Sequence, residues 1–247
     1  MNEQNDRSLR DTGERMIPTG EGEVSYVFAR HKFAYEQAKR YAQGCRVLDV
    51  GCGTGYGCKI LSEVASSVVG IDYSAEAVAY CNANSTAPNV LFEHANATDI
   101  AFNREFDLAL SFQVIEHHSN PPLFLKKIKQ AVRPGGTILL TTPNAREPVR
   151  KGEENPFHEN EMNYEQFKKL LSEHFSSFEL LGIGYASPNK LRTLIQRSPL
   201  YRLGKYFNRK NPIKKLANAT MNLTNFQVLH TDIAHDAIDL FAICKNE

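Results

Sequence analysis

No stretch of this chain approaches the ~18 consecutive apolar residues of a membrane-spanning helix. Residues 1–15 are polar and mixed in charge and lack the apolar core of a secretory signal. CxxC pairs are missing too. The five cysteines (Cys45, Cys52, Cys58, Cys81 and Cys244) are scattered and odd in number, which argues against a structural zinc site and for reduced thiols. The cytoplasm is the expected compartment. There is no internal repeat and no low-complexity tract, which excludes solenoids and disordered arrays. Acid is missing from one long segment: residues 180–231 hold nine Lys or Arg and no Asp or Glu, although the net charge of the chain is only +1.

What is present suits a soluble globular protein. With 247 residues, 42% hydrophobic and 23% charged, the chain can build one α/β domain with an insertion. Apolar positions at helical spacing over 24–41 predict a lead-in helix ending near Gly44. Strands are predicted at 45–50, 67–72, 90–94, 106–112 and 137–142. Between them fall helices at 56–65, 74–83 and 122–132, with Ser74 as an N-cap and Arg133-Pro-Gly-Gly136 as a stop. This alternation is the pattern of βα units on a parallel sheet with helices on both faces. A polar loop to residue 160 then leads to a helix at 164–174, a strand at 178–184 and a last strand at 237–244. The span between those two strands is far too long for a hairpin and predicts a basic helical insertion at 186–232. The chain divides into an arm with its lead-in helix, 1–43, and a main domain, 44–247.

The first strand ends in Asp49-Val50 and opens through Gly51, Gly53 and Gly55 into a helix, which gathers backbone N–H groups at the carboxyl edge of the sheet. A dinucleotide fingerprint needs its third glycine or alanine three residues after the second, but Tyr56 stands there, so nicotinamide binding is disfavoured. Asp72 closes the second strand 21 residues after Gly51, where a carboxylate can accept both hydroxyls of a ribose. A ribose-bearing ligand without a pyrophosphate is expected. Asp49 either orders the glycine loop from beneath or touches the ligand.

The run Val47-Leu-Asp-Val-Gly-Cys-Gly-Thr-Gly55 with Gly70-Ile-Asp72 and Arg133-Pro-Gly-Gly136 resembles the class I S-adenosylmethionine-dependent methyltransferases over residues 44–144. The resemblance implies a Rossmann-like seven-stranded sheet with its last strand antiparallel and S-adenosylmethionine as cofactor. It places Gly51 and Gly53 against the methionine moiety, Gly55 in the same loop and Asp72 on the ribose. It also places Asn96, with Ala97 beside it, at the adenine, where family members often carry Asp. An Asn oxygen can accept from the adenine amino group, and Asp99 is the alternative.

Methyl transfer from a sulfonium needs alignment and a dry site more than a protein nucleophile. An alcohol acceptor must also lose its proton, and a His base contributes ~10²–10⁴-fold. Gln113-Val-Ile-Glu116-His117-His118 follows the fourth strand and supplies Glu116 and His117. It is similar to the Glu-x-x-Glu-His motif of ubiquinone-pathway and small-RNA methyltransferases, where the motif supplies metal ligands or polar active-site groups. Gln113 replaces the first carboxylate, which argues against a required metal. Alternatively, Glu116 and His117 only order the next helix. Asn155-Pro-Phe-His158-Glu-Asn-Glu161 follows the fifth strand and offers His158 as the second base, or as a brace for the helix near Asn163. These loops, with Thr12-Gly-Glu-Arg-Met-Ile-Pro18, resemble bacterial methyltransferases that modify glycan sugars or natural products.

The insertion interleaves leucines and aromatics with Lys and Arg over 190–215. Such a segment either packs as a solvated cap or makes peripheral contact with an anionic membrane or a phosphorylated acceptor. Nucleic acid ranks lower, because the rest of the chain is acidic and no recognition motif occurs. The expected function is O-methylation of a sugar or other small hydroxylated acceptor, including lipid- or nucleotide-linked forms. N- or C-methylation of a small metabolite and a non-catalytic cofactor-binding adaptor are the rivals.

Overall fold

The computed structural model describes residues 26–145, 157–186, 223–230 and 234–247. Its centre is an eight-stranded sheet. The parallel half comprises β1 (Arg46–Val50), β2 (Ser67–Asp72), β3 (Val90–His94), β4 (Phe106–Phe112) and β5 (Val132–Pro143). The antiparallel half comprises β6 (Phe178–Tyr185), β7 (Phe226–Leu229) and β8 (Asp239–Lys245). The spatial order is β3-β2-β1-β4-β5-β8-β6-β7. The order reverses between β1 and β4, which opens a crevice at the carboxyl ends of those strands. Four central strands read as near-continuous apolar runs because both faces are covered.

One face is covered by α1 (Tyr26–Ala42), α2 (Tyr56–Ser62) and α3 (Ala75–Asn84), through residues such as Ala34, Ala38, Leu61 and Val78. The other is covered by α4 (Pro121–Ala131) and α5 (Tyr164–His174), whose Phe124, Leu125, Ile128, Phe167 and Leu171 are fully buried. Local chemistry sets the helix starts. Ser74 accepts from the Ala77 N–H at 3.2 Å, and Asn120 accepts from Leu123 just before two prolines. Asn163 and Gln166 form a reciprocal capping box.

Two sequence expectations change. The expected seven strands become eight, because residues 226–229 of the insertion form a strand on β6 instead of helix. Phe226 and Leu229 are buried while Gln227 points out, and that edge satisfies the backbone of β6. β5 begins at Val132, ahead of the expected 137: Val132 pairs with Phe106, and a bulge over 133–136 precedes regular pairing at Thr137. The basic pattern at 190–215 and residues 1–25 lie outside the described residues. No described helix is long and apolar enough to cross a membrane.

Candidate active site

A cavity of about 740 Å³ opens at the reversal point of the sheet, within the ~300–1,000 Å³ of ligand pockets. Its floor is the glycine loop. Gly51 adopts φ +79° and Gly53 φ +55°, conformations that a Cβ strains. A Cβ on Gly51 would lie 2.4 Å from Val114 Cγ2, whereas one on Gly53 would meet nothing within 4 Å and would project into open space. The first glycine therefore permits close packing and the second leaves the cradle open. Gly55 does not line the cavity; a Cβ there would meet Phe92 and the Cys81 sulfur.

Asp72 is buried at the cavity wall. Its Oδ2 accepts from the Gly53 N–H and its Oδ1 from the Ser74 N–H, both at 2.9 Å. Each oxygen has a second lone pair, which suits a carboxylate that must also receive a vicinal diol. Asn96 and Ala97 line the same end. The Asn96 oxygen already accepts from the Thr98 N–H at 3.1 Å and hydroxyl at 3.0 Å. With the oxygen so engaged, the amide N–H₂ is the part that would be offered to an adenine ring nitrogen. Asp99 is exposed and does not line the cavity.

Asp49 lies beneath the loop. It is fully buried and accepts from the Tyr35 hydroxyl at 3.1 Å and the Cys58 thiol at 3.2 Å. Burial pushes its carboxyl up to about 6, against the pull of those two donors. Burial likewise pushes the Cys58 thiol up to about 12, so this neighbour stays protonated. All five cysteines are free thiols.

The two candidate base motifs form one structure. A 3₁₀ turn at Ile115–His117 follows β4, and Gln113 precedes it with φ +59°, a strained value for a residue with a Cβ. Gln113 is fixed by its N–H on the Thr141 carbonyl at 3.0 Å and its side-chain amide on the Thr141 hydroxyl at 3.2 Å. The loop from Phe157 docks on this turn: the Glu159 and Asn160 N–H groups both donate to the Glu116 carbonyl at 2.9 Å. His117 and His158 consequently meet edge to face, with ring centroids 4.9 Å apart.

Each imidazole has a partner for Nδ1. His117 Nδ1 lies 2.8 Å from the Phe157 carbonyl, and His158 Nδ1 lies 2.7 Å from Glu161 Oε1. Both acceptors select the tautomer with Nδ1–H, which leaves the lone pair on Nε2. Glu116 is buried, and its carboxylate accepts from the Thr142 hydroxyl at 3.1 Å. Glu116, His117 and His158 can bring ligand atoms within 4.8 Å of one another, a spacing that also admits a divalent cation. The helix-bracing role considered for His158 falls to Asn163 and Gln166.

Several wall residues carry no sequence motif. Tyr35, Tyr56 and Phe112 form an aromatic side, with Tyr35 5.4 Å from Tyr56 and 4.9 Å from Phe112. Burial raises both phenols, so they act as neutral surfaces. Arg30 and His31 of α1 complete the wall; burial, then Arg30, pushes His31 down to about 3. A signal for Glu161 existed in its i+3 spacing from His158. Nothing in the linear pattern marked Arg30.

Residues 42–197 match a family model described as a methyltransferase domain. The chain belongs to the class I S-adenosylmethionine-dependent methyltransferases. It is 37% identical over 163 residues to a probable S-adenosylmethionine-dependent methyltransferase of Mycolicibacterium smegmatis, spanning 65% of this chain and 62% of that protein. A ubiquinone biosynthesis O-methyltransferase of Mesorhizobium japonicum is 35% identical over 111 residues, 44% of this chain and 45% of that one. The matches thus span about half to three-fifths of those relatives' length. A solved S-adenosylmethionine-dependent methyltransferase from Thermotoga maritima superposes with a TM-score of 0.60 over 89% of this chain and 93% of its own, at 16% identity. S-adenosylmethionine is the cofactor of this family, and the glycine cradle, Asp72 and Asn96 fit its methionine, ribose and adenine parts.

Proposed function

We propose that this protein methylates a hydroxyl of a small acceptor, a sugar or other hydroxylated compound in free, lipid-linked or nucleotide-linked form, with His158 as general base. One juxtaposition carries the reading: His158, paired with Glu161, shares one cavity with the glycine cradle. When bound, S-adenosylmethionine supplies a methyl group on a sulfonium. Gly51, Gly53 and Asp72 would hold the cofactor. Tyr35, Tyr56 and Phe112 exclude water from the acceptor side, which favours an in-line displacement. His158 takes the hydroxyl proton at Nε2, and Glu161 holds the ring in that tautomer and stabilises the imidazolium. Glu161 is a positioning residue; it acts through His158. The O-methyltransferase among the relatives supports oxygen as the methylated atom.

A second reading rests on the 4.8 Å grouping of Glu116, His117 and His158, which suits a divalent cation holding the acceptor oxygen. Homocysteine-product release, screened with sugars, nucleotide sugars and lipid-linked sugars with and without EDTA, separates the two. Base catalysis predicts that EDTA leaves turnover intact and that His158→Gln lowers kcat ~10²–10⁴-fold. Glu161→Gln should cost less, and the double variant no more than His158→Gln alone. Additive losses would contradict the coupling of the pair, and EDTA-sensitive turnover restored by a cation would favour the second reading.

A further inference from the structure

Arg30 stands apart from the cofactor cradle and the histidines, yet it lines the same cavity. It projects from α1, and its Nε lies 2.8 Å from Asp239 Oδ2. Asp239 is nearly inaccessible, at the first position of β8, opposite Pro143 of β5. Its carboxyl is pushed up to about 6 by burial, with Arg30 and the Gln113 amide opposing that shift. One buried carboxylate therefore steadies Arg30, which faces the cavity.

A tie between α1 and the sheet does not require this pair. Ala29, Phe33, Ala34 and Ala38 already bury α1 against the core, and apolar residues often replace a buried ion pair without loss of stability. The pair does place the Arg30 guanidinium in the cavity wall. Its neighbour His31, with a pKa of about 3, is neutral near pH 7, and the carboxylates of the wall, Asp72 and Glu116, are committed to the cradle and to Thr142. An arginine steadied on one side by a carboxylate matches planar or tetrahedral oxyanions in a way a lysine does not.

We propose that the acceptor carries an anionic group, a carboxylate or a phosphate, and that Arg30 binds it. This rests on the methyltransferase reading above and narrows its substrate class: the reacting hydroxyl lies at the His158 end and the anion at the α1 end. Arg30 thereby selects acceptors by charge.

Calorimetric titration of benzoate, inorganic phosphate and neutral benzamide into protein saturated with S-adenosylhomocysteine tests it, in wild type, Arg30→Gln and Arg30→Lys. At least one anion should bind wild type while benzamide does not. Arg30→Gln should weaken that anion about tenfold or more, equivalent to ~1.4 kcal/mol, with Arg30→Lys intermediate and S-adenosylhomocysteine affinity unchanged in both. Preference for benzoate assigns a carboxylate, and preference for phosphate a phosphoryl group. The proposal is overturned if neither anion binds wild type, or if Arg30→Gln binds the anion as tightly while losing only thermal stability. Should wild type fail to bind S-adenosylhomocysteine, the cofactor reading falls, and the same titrations on the ligand-free protein still decide the role of Arg30.

Discussion

Single residues in and behind the cavity wall carry opposed proton affinities. The folded state holds His31 neutral, with its pKa down to about 3, so the unfolded chain binds that proton more tightly. The stability this provides is fully present above ~6.5 and is lost as pH falls through that value toward 3. Asp49 and Asp239 act in the other direction. Both are raised to about 6, so the cost of ionising them grows as pH rises from about 4 to 6 and is relieved on acidification. Thermal unfolding of His31→Gln should therefore show a smaller fall in Tm from pH 7 to pH 5 than wild type; an equal fall would mean that His31 titrates alike in both states. Residue placements were legible in the sequence where chain order and geometry coincide. The position of Asp72 at the cavity wall follows from the strand-end spacing. Asp49 and Asn96 carried residue type without partners: only folding brings Tyr35 and Cys58 to the first and Thr98 to the second. Asp99 was the right residue type on a surface turn.

Elements were more legible than residues, because helices and buried strands impose a period over several positions. The α5 start is an example, where Asn163 and Gln166 satisfy each other's backbone groups. Asn163→Ala should lower stability by ~1 kcal/mol, read as a Tm decrease with unchanged affinity for S-adenosylhomocysteine. An affinity loss would show that α5 also organises the cavity through Met162, whose carbonyl accepts from the Ala145 N–H. The elements missed share a cause. β7 is four residues long and lies in a basic, leucine-rich segment that reads as helix, and only pairing along β6 makes it a strand. The early start of β5 runs through Pro-Gly-Gly, which signals a stop locally but forms a bulge on β4. Docking of the 157–160 loop on the 115–117 turn links residues some 40 apart, beyond any local pattern.

In the whole molecule, the sheet reversal between β1 and β4 places the glycine cradle, His117, His158 and Arg30 around one cavity. The cofactor end was readable because its motifs are contiguous. The other end is assembled from α1 and two loops, with the start of β8 behind Arg30, so its make-up emerges only in three dimensions. The central claim, that this cavity holds S-adenosylmethionine through a ribose-binding Asp72, is tested most directly by calorimetry with S-adenosylhomocysteine on wild type and Asp72→Ala. Wild type should bind, and the variant should bind more weakly by about 1.5–3 kcal/mol, the scale of hydrogen bonds to a charged group. No binding by wild type, or equal affinity in the variant, would contradict the account.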